Sequence, residues 1–107
     1  MLIDSNSTKE EISNYIKLLP CTFLENFSDD SWAKSHIDEA AKISVNRTPI
    51  YFLRNFSDKP WAQPYIDESV KMAAKQSPEY FLEKWANRFP QGINTALFAL
   101  GGENRVD

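Results

Sequence analysis

Apolar residues recur along this chain in short blocks separated by polar turns, and the blocks themselves repeat. Residues 23–51 read FLENFSDDSWAKSHIDEAAKISVNRTPIY and residues 52–80 read FLRNFSDKPWAQPYIDESVKMAAKQSPEY; aligned without a gap, 14 of 29 positions are identical. A third copy opens at Phe81 with FLEKWANRFP and then diverges, while Pro20, Pro49 and Pro78 keep the same interval of 29. A fixed period in this range is the signature of a supersecondary unit that buries its apolar face against its neighbours.

Within each unit two apolar blocks flank a turn. Ser77-Pro78-Glu79 sets a capping side chain before a proline at the first helical position, with an acid in the first turn, and Thr48-Pro49 does the same one period earlier. Phe52 and Phe56, like Phe81 and Trp85, are four apart and share a helix face. Pro64 aligns with Ser35, and both residue types mark a second helix start; Ser35 with Asp38 resembles a capping box with Asp in the Glu position. On the second helices Ile37, Ala41 and Val45, then Ile66, Val70 and Ala74, form apolar stripes. Asp38 with Lys42 and Asp67 with Lys71 mark the solvated side.

The flanks continue the scheme. Glu10–Leu19 is helical in pattern, with Thr8 as cap and Glu11 three residues on. Downstream, Ile93–Leu100 is a last helix, stopped by Gly101-Gly102 and followed by a fraying tail over 101–107. The expected helices span roughly 9–19, 20–27, 36–46, 49–56, 64–76, 78–89 and 93–100. No useful stretch alternates with period two, so no sheet is expected. The prediction is an all-α single domain over residues 1–107. It comprises a degenerate N-terminal unit at 9–22, repeats at 23–51 and 52–80, and a partial repeat with its cap at 81–100.

Tandem helix pairs opened by proline resemble the α-solenoid class, in particular short HEAT-like repeats, across about residues 9–100, although the unit of 29 is shorter than the usual ~40. The resemblance implies a short right-handed stack of helix pairs acting as a scaffold or interaction protein. It transfers no site residue.

Composition narrows the function. A net charge of −3, with Lys34, Lys42, Arg47, Arg54, Lys71 and Lys75 scattered, argues against nucleic acid and anionic membranes, which require clustered cations. One cysteine, Cys21, forbids an intrachain disulfide or a cysteine metal cluster and suits a reducing compartment. No apolar run is long enough for a signal core or a membrane span, which points to the cytoplasm. GxSxG, HExxH, CxxC and phosphate-loop motifs are all missing, so no enzyme activity and no cofactor are expected.

The candidate interaction or repeat-joint residues are Trp32, Trp61, His36, Tyr65 and Trp85. Trp32 and Trp61 sit at one repeat position inside the polar turn; each is either a wedge fixing the joint or a rung of an exposed aromatic ladder for peptide or glycan. His36 is replaced by Tyr65 one period on, which suits a half-exposed packing position better than a general base. The repeated NFSD (Asn26, Ser28 and Asp29; Asn55, Ser57 and Asp58) reads as turn-building chemistry. The expected function is non-catalytic protein–protein interaction, with another protein as partner. Self-association through the apolar C-terminal helix INTALFAL is the first alternative, and a nucleic-acid-binding helical protein the less favoured second.

Overall fold

A computed structural model describes residues 3–101, and every regular element among them is helical. The chain divides into two compact units, Met1–Arg47 and Thr48–Asp107. Unit one contains α1 (Lys9–Leu18), α2 (Pro20–Phe27), a 3-10 turn at Ser31–His36 and α3 (Ile37–Arg47). Unit two contains α4 (Pro49–Phe56), a 3-10 turn at Pro60–Ala62, α5 (Gln63–Gln76), α6 (Pro78–Lys84), a 3-10 turn at Pro90–Gly92 and α7 (Ile93–Ala99). Gly102 and the ENRVD segment, expected to stop α7 and fray, lie outside the described residues.

Proline sets the helix starts. Leu19, Thr48 and Ser77 each precede a proline and adopt nearly one conformation, with φ/ψ of −137/63, −140/67 and −139/64°. Clash with the following proline ring disfavours the α region at such a residue, so the previous helix must end there, while the ring's own fixed φ suits a first helical position. Helices therefore open at Pro20, Pro49 and Pro78, each three residues upstream of an FL block. Thr48 and Ser77 occupy N-cap positions as expected, but neither side chain makes the cap hydrogen bond. Thr8 does: its Oγ1 accepts from the Glu11 backbone N–H at 3.0 Å while Glu11 Oε1 accepts from the Thr8 N–H at 2.8 Å, a complete capping box.

The turns inside the pairs also match at the level of hydrogen bonds. Asp30 N–H donates to Phe27 O, Lys59 N–H to Phe56 O and Arg88 N–H to Trp85 O, at 2.9, 2.9 and 3.1 Å. Ala33, Ala62 and Gly92 then donate to the carbonyls of Asp30, Lys59 and Phe89, each at 3.0 Å, so the third turn is one residue longer than the others. These 3-10 segments occupy ground read as plain turn or helix start: Ser35 and His36 belong to the first of them, and α3 begins at Ile37. The sixth helix, expected over 78–89, ends at Lys84, because Trp85 leaves the helical region with φ −122° and stacks its indole on Phe89, 6.0 Å between centroids.

Each unit has its own core. In unit one Ile12, Tyr15 and Ile16 of α1, Phe23 and Leu24 of α2, and Ala40, Ala41 and Val45 of α3 are buried together as the three helices pack pairwise. In unit two α5 is the hub, packed against α4, α6 and α7. Three of its inward positions are small (Ser69, Ala73 and Ala74, beside Ile66 and Val70), which allows close approach. Phe52, Leu53 and Phe81 are fully buried, each contributing roughly 1.5–3 kcal/mol. Ser69 resolves its burial by donating its hydroxyl to the Pro49 carbonyl at 3.0 Å.

Candidate functional site

The tryptophans of the turns pack on the phenylalanines of their own helix pair. Trp32 lies 5.4 Å from Phe27 and 6.4 Å from Phe23, ring to ring; Trp61 lies 5.4 Å from Phe56 and 6.1 Å from Phe52, at closely similar tilts. Phe and Trp nine residues apart across the helix end and turn are thereby brought edge to face, and those five apart meet at a tilt, arrangements favoured by the ring quadrupoles. Both indoles are half-buried, and the Trp61 Nε1–H is buried without a hydrogen-bond partner. Tyr65 extends the second cluster with an edge contact to Phe52 at 6.4 Å, and His36 is half-buried at the end of its 3-10 turn.

Trp85 differs. It is buried at the end of α6 with its Nε1–H unpartnered, and the Arg88 guanidinium lies over both its ring and that of Phe89, at 5.7 and 5.3 Å. Arg88 also donates to the Ser57 hydroxyl at 2.6 Å. The third pair keeps an aromatic contact at the turn but stacks the rings, with the indole at the helix end and the phenyl in the turn.

The polar residues singled out from the sequence fall to local structure. Asn55 Nδ2 donates to the Tyr51 carbonyl at 3.0 Å. Asp38 pairs with Lys42 at 3.2 Å on an exposed face, whereas Asp67 accepts from Gln91 at 3.4 Å rather than pairing with Lys71. Glu39 accepts from Ser13 at 2.7 Å. Cys21 is half-buried with its Sγ 3.4 Å from the Ser44 hydroxyl. Among the described residues no three His, Cys, Asp or Glu side chains converge as a metal site would require, and no helix is long and apolar enough to cross a membrane.

The surface feature with chemical content is the α6–α7 face. Glu79, Tyr80, Leu82 and Glu83 line a groove of about 640 Å³ along α6. An adjoining groove of about 340 Å³ runs from Gln76, Ser77 and Pro78 past Glu79 and Tyr80 to Leu100 at the end of α7. Leu97, one turn before Leu100 on α7, is 42 % exposed and Phe98 is 62 % exposed. Aligning the prolines that open the 3-10 turns, Pro60 with Pro90, puts Leu97 and Phe98 where α5 carries the exposed acids Asp67 and Glu68. The loss of the IDE motif in the third copy is the sequence signal for this face; the accompanying α6 residues carry none.

No family model, no curated protein and no solved structure matches this chain.

Proposed function

We propose that the chain is a non-catalytic protein-interaction module, built from three copies of one helical hairpin, that docks another polypeptide on its α6–α7 face. The shared backbone angles of Leu19, Thr48 and Ser77 and the matched turn hydrogen bonds support reading the hairpins as repeats. The observation that carries the function is the replacement of two solvated carboxylates by exposed Leu97 and Phe98 on α7, the helix packed against α6, whose groove is lined by Tyr80 and Leu82. Large apolar side chains gathered next to a groove gain on losing water, and such patches mark interaction surfaces.

A photo-crosslinking amino acid placed at Phe98, and in a second variant at the exposed Lys71 of α5, tests the reading. The expected outcome is a discrete protein adduct from position 98 and none from 71. Equal yields from both positions, or no adduct from either, overturn it.

A further inference from the structure

Resting on that docking face, we propose that its occupant is a second copy of this chain, which presents the corner formed by Leu18 and Leu19 with Lys17 and Arg47. Leu18 is 73 % and Leu19 49 % exposed, at the end of α1. Arg47 donates to the Lys17 carbonyl at 2.6 Å, which brings the last residue of α3 to this end of α1. The corner is thus two leucines with two cations beside them. On the other face, Leu97, Phe98 and Tyr80 are apolar and exposed, and Glu79 and Glu83 sit one turn apart on α6.

The charges are opposite and unspent: Lys17, Glu79 and Glu83 have no ion-pair partner among the described residues. Arg54 donates to the Tyr80 hydroxyl at 3.3 Å and Lys84 follows Glu83, so the negative area is confined to the Glu79–Glu83 stripe. That confinement sets where the incoming cations must land. Pairing like with like would bring two copies of the same charged rim together, which is costly, whereas pairing the corner with the groove matches leucine to leucine and cation to carboxylate. The contact joins two different patches, the α1 corner of one copy and the α6–α7 face of the next.

Sedimentation velocity on the full chain tests this. Wild-type protein is expected to gain mass with concentration, and to lose it as salt rises from about 0.1 to 1 M, which shortens electrostatic screening from ~10 to ~3 Å. Lys17→Glu/Arg47→Glu and, separately, Glu79→Lys/Glu83→Lys are each expected to weaken association by about tenfold or more. Mixing the two variants restores it, because one keeps an intact groove and the other an intact corner. Circular dichroism confirms that the exposed substitutions leave the helices in place; Leu18→Ser/Leu19→Ser, with no charge change, should also abolish association. A wild-type chain that stays monomeric at about 1 mM, variants that associate like wild type, or a mixture that stays monomeric overturns the proposal. A monomeric chain that still crosslinks from position 98 to a different protein ends this inference and leaves the interaction-module reading standing.

Discussion

Gly92 abuts the Phe81 ring: a methyl group built on it would come within 2.5 Å of the ring's Cζ and 2.6 Å of Val70 Cγ1. Ala33 and Ala62 close the corresponding 3-10 turns and are themselves fully buried, so the third turn has come one methyl closer to its core than the others. The backbone at Gly92 is ordinary, with φ −92°, so the requirement is for space and not for conformation. Gly92→Ala is expected to destabilise by about 1–3 kcal/mol through overpacking against a ring that is fully buried and cannot yield. Thermal or urea unfolding measures it; a neutral effect would mean that Phe81 has room the structure does not show.

Trp61 separates ring packing from hydrogen bonding. Trp61→Ala removes the contacts with Phe52 and Phe56 and is expected to cost about 3 kcal/mol, at the low end for a large aromatic because the ring is half-exposed. Trp61→Phe keeps a ring in place and removes a buried N–H that has no acceptor, so its cost should stay below about 1.5 kcal/mol. Equal losses in the two variants, read by urea denaturation, would show that the indole's size alone matters.

Caps that look alike in sequence should behave differently. Thr8→Ala removes the Oγ1 acceptor of the Glu11 N–H, leaving only the bond from the residue-8 backbone N–H to the Glu11 carboxylate, and should destabilise α1 by about 1 kcal/mol. Ser77→Ala should change stability by less than about 0.5 kcal/mol, because the Ser77 side chain makes no cap hydrogen bond and Pro78 already sets the helix start. Comparing the two midpoints in one denaturation series checks this.

Ser69→Ala should cost only about 0.5–1.5 kcal/mol despite complete burial. The variant loses the bond to the Pro49 carbonyl but leaves no unpaired donor, and alanine already occupies the equivalent position, Ala40, in α3. A larger isostere tests the packing half of the claim: Ser69→Val should be the worse substitution, since α4 and α5 meet there.

Much of the helix arrangement was legible along the chain. Prolines 20, 49 and 78 prevent the preceding residue from continuing a helix, whatever surrounds it, so three helix starts follow from covalent geometry alone. The stripes Ile37, Ala41, Val45 and Ile66, Val70, Ala74 are buried as their spacing of four implies, and Asp38 meets Lys42 across one turn. These are local facts, set by the 3.6-residue period and by sterics within a few bonds.

What the candidate site required was not local. Nothing in FLEKWANRFP shows that Trp85 ends its helix early to stack on Phe89 beneath Arg88, because that choice depends on how the longer third turn meets the core. Asp67 reaches Gln91 instead of Lys71 since the 3-10 turn at Pro90–Gly92 approaches α5 closely enough to offer a partner outside the helix. INTALFAL reads as apolar all round, and only packing decides that Ala96 goes inward and Leu100 borders the groove at Glu79 and Tyr80 while Leu97 and Phe98 are left in water. The sequence by itself therefore determined the three proline-opened helix starts and the buried stripes of α3 and α5, because those depend on backbone sterics and periodicity. Tertiary structure decided which polar and apolar groups share a surface, because exposure belongs to the neighbours a side chain acquires, and these come from residues far away along the chain.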